Sequence, residues 1–159
     1  MVPPASQLSA AGVRVGILVA AWNRQVTEAL LKGAMEELLK RGGDENEILV
    51  EWVPGAFELP FGAKLMAQMT DVDAIICLGC VIRGETPHFD YVCQAATEGI
   101  LRVGLEMEVP VIFGVLTVDT LEQALARAGG KYGNKGTEAA VAALHMASLA
   151  RRLSRFDEP

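Results

Sequence analysis

The sequence is poor in histidine, cysteine, aromatic residues and positive charge. It holds two histidines, three cysteines and 6% aromatic residues, and 14 Lys and Arg face 20 Asp and Glu, for a net charge of −6. This deficit of positive charge argues against binding to a nucleic-acid backbone. An odd number of cysteines without framework spacing predicts free thiols in a reducing compartment.

Long hydrophobic runs are also lacking. No run approaches the ~20 apolar residues that span a bilayer, and the first residues, MVPPASQLSA, lack the pattern of a signal peptide. We therefore expect a cytoplasmic protein without a membrane segment. The mean hydropathy of +0.28 is high for a small monomer, which indicates apolar surface buried between copies of the chain.

What is present is a regular alternation of strand and helix patterns. The length of 159 residues fits one domain, placed at residues 13–159 after an N-terminal arm at 1–12. Apolar runs and helical stripes predict four strands and five helices. The strands are expected at 13–20, 48–53, 74–80 and 111–116, and the helices at 25–41, 57–69, 88–107, 120–128 and 136–155.

This alternation predicts an α/β fold, a three-layer αβα sandwich with a four-stranded, parallel, flavodoxin-like sheet. The run at 74–80 is apolar throughout and is expected to be a central strand covered on both faces. Thr86 and Pro87 are expected to be the N-cap and first residue of the third helix. The residues of the last helix expected to face the core are Ala139, Ala143, Met146, Ala150 and Leu153. Ligands of such sheets bind beyond the carboxyl ends of the strands.

Polar and aromatic residues gather at those ends. Trp22 follows the first strand and could stack on a flat ring or simply pack. A loop with two glycines at 79–86 has the outline of a phosphate loop, but Glu85 stands where a P-loop needs lysine, which disfavours an NTPase. The helix start at Gly84 to Thr86 could still hold one phosphate; a plain turn is the alternative.

Three further features bear on chemistry. His88 could move protons near pH 7, although Asp90 is the only carboxylate close to it in sequence. Cys77 and Cys80 are three apart in a strand and point to opposite faces, which disfavours a metal or redox role. The basic turn around Arg127 could be solvated or could serve an anion.

Four segments together resemble lumazine synthases, and the resemblance covers nearly the whole chain. They are VPGAFELP at 53–60, LGCVIRGETPHFDY at 78–91, FGVLT at 113–117 and RAGGKYGNKG at 127–136. The resemblance implies condensation of 5-amino-6-ribitylaminouracil with 3,4-dihydroxy-2-butanone 4-phosphate. The products are 6,7-dimethyl-8-ribityllumazine, phosphate and water, in the penultimate step of riboflavin biosynthesis, without metal or organic cofactor.

The resemblance also assigns roles to residues of one chain. Trp22 would stack on the pyrimidine, Ala56 and Glu58 would hold the ribityl chain, and His88 would transfer protons. The uracil edge would be read by the backbone of Cys80, Val81 and Ile82. The phosphate would be bound by Gly84, Glu85 and Thr86, with the Glu85 side chain facing solvent.

An adjacent subunit would complete each site. The resemblance places Phe113 over the ring, Arg127 on the phosphate, Lys135 nearby and Glu138 within reach of the histidine. It implies a homopentamer, with the sixty-subunit capsid left open, and riboflavin synthase as a partner. Two alternatives on the same fold are a non-enzymatic flavin- or lumazine-binding module, disfavoured because His88 and Arg127 are both present, and a shell protein.

Overall fold

A computed structural model describes residues 4–156, and its centre is a four-stranded parallel sheet. The strands are β1 (Val15–Ala20), β2 (Ile48–Val53), β3 (Ala74–Ile82) and β4 (Val111–Val118). Their order in the sheet is β2-β1-β3-β4, so the chain begins in the middle of the sheet and winds both ways. This is the start of the flavodoxin-like order, and the predicted fold class is confirmed.

Helices cover both faces of the sheet, because alternate strand residues point to opposite sides. One apolar cluster joins the sheet to α1 (Arg24–Lys40) and α5 (Lys135–Ser154). The other joins it to α2 (Leu59–Met69) and α3 (His88–Met107). β3 is buried from Ala74 to Cys80 and pairs with both β1 and β4, as the unbroken apolar run predicts.

Helix α5 lies unusually close to α1, and one side chain fixes its start. Asn134 accepts the amides of Gly136 and Thr137 at 2.8 and 3.2 Å and donates to the Ala29 carbonyl of α1 at 3.0 Å. A Cβ on Gly136 would lie 1.9 Å from the Leu30 carbonyl oxygen, so only glycine allows this approach. The N-terminal turn of α5 is therefore held firmly beside the sheet.

Most predicted elements are present, with local corrections. The helix expected at 120–128 is the shorter α4 (Leu121–Ala126), followed by an unpredicted antiparallel pair, β5 (Ala128–Gly130) and β6 (Gly133–Asn134). The prediction that Thr86 caps α3 is wrong: Pro87 is the N-cap, and Thr86 Oγ1 only accepts the His88 amide at 3.4 Å.

Two other details differ from the sequence pattern. Ala139 and Ala143 are buried as predicted, but Ala150 is exposed, and Met146 and Leu153 are 43% and 58% exposed. The face of α5 that packs against α1 and the sheet is narrow and consists largely of alanines. Within the proposed arm, Leu8 and Ala10 are buried in the apolar cluster that joins the sheet to α1 and α5. Residues 1–3 of that arm and 157–159 of the predicted domain lie outside the described residues, and the division into arm and domain stays a prediction.

Large apolar side chains lie exposed in stripes on α2 and α3. Phe61, Leu65 and Met69 follow one another at four-residue intervals on α2, and Leu101 and Leu105 do so on α3, so each set lies on one side of its helix. Within residues 4–156, no helix combines the length and the apolar character needed to cross a bilayer.

Candidate active site

The first cavity lies beyond the carboxyl ends of β1, β2 and β3 and has a volume of about 620 Å³. β1 and β3 are neighbours whose following connections lead to opposite faces of the sheet, and such a crevice is where doubly wound sheets bind ligands. Its lining residues come from four segments: Trp22, Asn23, Gly55, Ala56, Phe57, Glu58, Cys80, Val81, Ile82, Gly84, Thr86, His88, Phe89 and Val92.

One wall is the turn after β1. Trp22 donates its amide to the Pro54 carbonyl at 3.0 Å, yet its side chain is 75% exposed, so a large aromatic face stands free above the crevice. Asn23 adopts a left-handed conformation at φ 60° and donates from Nδ2 to the Cys80 carbonyl at 2.8 Å. This hydrogen bond ties the turn to the end of β3.

The floor combines a short helical turn with the end of β3. Ala56 and Glu58 belong to the 3-10 turn before α2, and Glu58 Oε2 would lie 3.5 Å from a Cβ on Gly55. Burial raises the pKa of the Cys80 thiol to about 11. That thiol is therefore neutral at physiological pH, and its residue offers a ligand mainly backbone groups.

The other wall is the loop between β3 and α3. Gly84 has open space around it, since a Cβ there would meet no atom within 4 Å. Asp90, the carboxylate closest to His88 in sequence, lies 3.6 Å from Arg83 instead. Across residues 4–156 the His88 imidazole has no hydrogen-bond partner, so it is free to bind a ligand or a group from another chain.

A second cavity, of about 470 Å³, lies at the end of β4. It is lined by Val115, Leu116, Thr117, Val118, Arg127, Tyr132, Lys135 and Glu138. Arg127 donates to the Gln123 carbonyl at 3.0 Å and lies 4.8 Å from the centre of the Tyr132 ring. Two cations and one carboxylate thus line one polar cavity, and the two cations suit the binding of an anion.

The predicted site residues therefore divide between two places. The first cavity gathers the site residues that the resemblance assigns to one and the same chain, except Glu85, which is exposed and lines neither cavity. Arg127, Lys135 and Glu138 line the second. Phe113 lines neither and packs partly buried against the α2–α3 cluster. Within one chain the two sets do not form a single site.

Sequence reasoning missed several lining residues. Asn23, Phe57, Phe89 and Val92 line the first cavity and Tyr132 lines the second. Asparagine adopts the left-handed backbone conformation more readily than most residues, and its position directly after a strand could have pointed to Asn23. The others are aromatic or apolar side chains on helix starts and turns, for which the sequence carries no signal that separates lining from packing.

Both cysteines of β3 are buried. Cys77 and Cys80 belong to clusters on opposite faces of the sheet, as their spacing predicts. Burial raises the pKa of the Cys77 thiol to about 12, which keeps it protonated and weakly nucleophilic. Among residues 4–156, no three His, Cys, Asp or Glu side chains are grouped as metal ligands.

Comparison with known proteins identifies the family of the chain. Residues 12–151 match the family model of 6,7-dimethyl-8-ribityllumazine synthase. The protein of that name from Porphyromonas gingivalis is 55% identical over 139 residues, 87% of this chain and 86% of that one. That from Thermus thermophilus is 53% identical over 148 residues, 93% of this chain and 94% of that one. This chain therefore belongs to the 6,7-dimethyl-8-ribityllumazine synthase family.

Proposed function

We propose that this enzyme, a transferase, condenses 5-amino-6-ribitylaminouracil with 3,4-dihydroxy-2-butanone 4-phosphate to form 6,7-dimethyl-8-ribityllumazine, phosphate and water. The observation that carries the proposal is the first cavity. It brings an exposed aromatic face, a carboxylate, an open glycine loop and an imidazole together at the point where such sheets bind ligands, and that imidazole has no hydrogen-bond partner among residues 4–156.

The pyrimidine would bind between the turn after β1 and the end of β3. Trp22 presents its indole face for stacking, which stabilises a flat heterocycle by dispersion and quadrupole interactions. Glu58 can accept hydrogen bonds from the hydroxyl groups of the ribityl chain. The backbone at Cys80 to Ile82 has the donors and acceptors that a uracil edge requires, and Asn23 holds this backbone in place.

The phosphate would bind at the loop before α3. The amides from Gly84 to Thr86 precede a helix of 20 residues, and free amides at a helix start favour anions. The Thr86 hydroxyl adds a donor. Glu85 is exposed and lines neither cavity, so its carboxylate need not oppose the phosphate.

His88 would move the protons of the reaction. The amine of one substrate attacks the ketone of the other, water leaves to give an imine, phosphate is eliminated, and ring closure releases further water. Each step transfers a proton, and a single imidazole near neutrality can serve as acid and as base in turn. Every step leaves the overall oxidation state unchanged, so no redox cofactor is required.

Each site would be completed by a neighbouring copy of the chain. Arg127, Lys135 and Glu138 line a separate cavity from His88, which supports their acting on the phosphate and on His88 of another subunit. Phe113 on the edge strand β4 would cover the ring in the same way. The exposed apolar stripes on α2 and α3 support the self-association that this arrangement needs.

The proposed assembly is a homopentamer, and riboflavin synthase is a partner in the same proposal because it would consume the product. Sedimentation of the purified protein distinguishes free pentamers from a shell of sixty copies. The reaction itself is tested by incubating the protein with both substrates and recording the fluorescence of the lumazine. Fluorescence that rises no faster than in protein-free buffer would refute the proposed function.

A further inference from the structure

Arg83 joins two parts of the molecule at the edge of the first cavity. It directly follows β3, and its amide donates to the Val118 carbonyl at 2.9 Å, which extends the pairing with β4 by one hydrogen bond. Its side chain donates from Nε to Asp119 Oδ1, also at 2.9 Å. Arg83 is therefore fixed to the end of β4 by both its backbone and its guanidinium.

The same guanidinium also reaches across the loop to the start of α3. Nη1 lies 3.6 Å from Asp90 Oδ1, and the guanidinium carbon lies 4.3 Å from the centre of the Phe89 ring. A planar guanidinium can bind two carboxylates at its edges while an aromatic ring stacks on its face, which a lysine ammonium cannot do. One side chain thus connects the two ends of the loop formed by residues 84–87.

That loop has few other connections. In the part of the chain that the structure describes, the hydrogen bonds of residues 84–87 stay within the loop and the first turn of α3. They are His88 N to Thr86 Oγ1 at 3.4 Å, and Asp90 N and Tyr91 N to the Pro87 carbonyl at 2.9 and 3.4 Å. None of these bonds ties the loop to the sheet.

We propose that Arg83 is a positioning residue that sets the width of this loop. By holding the end of β3 to the first turn of α3, it fixes the spacing between the amides of Gly84 to Thr86 and the neighbouring His88. It also fixes Phe89, which lines the same cavity. The inference rests on the proposed function, since it assigns the loop to the substrate phosphate.

The arginine's contribution is expected in ligand binding rather than in overall stability. Its side chain is 48% exposed and those of Asp119 and Asp90 more so, and exposed ion pairs contribute little to folding. Misplacing groups that bind or react by about 1 Å, in contrast, can lower rates by as much as ~10²-fold. A rise in KM for the phosphate substrate alone would distinguish this positioning role from a purely structural role.

The test uses Arg83→Met, which keeps the aliphatic stem without the charge, and Arg83→Lys, which keeps the stem and the charge but not the planar guanidinium. Arg83→Met should raise the KM for the butanone phosphate and weaken binding of inorganic phosphate by about tenfold each, with KM for the pyrimidine almost unchanged. Arg83→Lys should recover part of this loss. The matched control is Arg14→Met, which removes pairs to Glu47 and Asp71 at the opposite end of the sheet and should leave both KM values unchanged.

Three outcomes would overturn the inference: equal phosphate binding by wild type and Arg83→Met, no phosphate binding by wild type, or an equal rise of both KM values. Phosphate binding is measured by calorimetry on the assembled protein, independently of turnover. A wild-type protein that binds phosphate but makes no lumazine would contradict the proposed reaction, while the comparison with Arg83→Met would still decide the role of the arginine.

Discussion

Mixing two inactive variants tests whether the active site is shared between subunits. His88 lines the first cavity and Arg127 the second, and we propose that the two residues meet only across a subunit interface. His88→Ala and Arg127→Ala should each be nearly inactive alone. Refolding them together would place some Arg127→Ala subunits, which retain His88, beside His88→Ala subunits, which retain Arg127. Those interfaces would carry an intact pair.

The expected recovery follows from counting interfaces. With equal amounts and random assembly, an interface is intact when a given subunit retains the histidine and its neighbour retains the arginine. Each condition holds for half of the subunits, so about one quarter of the sites in a closed ring should recover wild-type activity. The residual activity of His88→Ala should lie ~10²–10⁴-fold below wild type, so this recovery would stand far above both parents.

The assay is lumazine fluorescence, recorded after denaturing and refolding the variants separately and together. Two controls are needed: native mass spectrometry of differently tagged copies to show that subunits mix, and sedimentation to show that each variant assembles. If mixing is complete and the mixture stays as inactive as its parents, the site is not shared in this way. Arg127 would then be a solvated residue at the end of α4.

Three further predictions concern single positions. His88→Ala should slow turnover by ~10²–10⁴-fold but leave a measurable remainder, because positioning survives the loss of an acid-base group; unchanged turnover at neutral pH would remove His88 from the mechanism. Trp22→Phe should retain pyrimidine affinity and Trp22→Ala should weaken it, as measured by titration, since only the second removes the ring face; equal affinities would exclude stacking. Gly136→Ala should destabilise the fold by ~1–3 kcal/mol because its Cβ would overlap the Leu30 carbonyl. Its thermal midpoint should fall by several degrees, whereas Gly84→Ala, which meets open space, should melt like wild type.

Much of the fold could be predicted because long periodic segments carry strong signals. Apolar runs marked all four strands, and the bounds of α3 agree with the stripe at 88–107. The hairpin of β5 and β6 gave no such signal, since its strands are short and rich in glycine. Met146 and Leu153 follow helical spacing, but the width of the buried face of α5 depends on its close approach to α1, which periodicity does not encode.

The candidate site was predictable in composition but not in arrangement. Residues after strands such as Trp22 were expected at one edge of the sheet, because parallel strands place their carboxyl ends together. The placement of Arg127 in a different cavity depends on how α4 turns away from β4, a tertiary feature. The contact of Arg83 with Asp119 at the end of β4 was also hidden, since it joins residues 36 positions apart in the sequence.

The junction of α1 and α5 carries a consequence for how this sequence can evolve. A Cβ on Gly33 would lie 2.5 Å from the amide group of Asn134, and that amide in turn caps α5 and binds α1. A side chain at position 33 fits only after Asn134 has been replaced by a smaller residue. Replacing Asn134 first, however, removes the hydrogen bonds that cap α5. The two positions are therefore epistatic, and viable sequences are expected to change them as a pair.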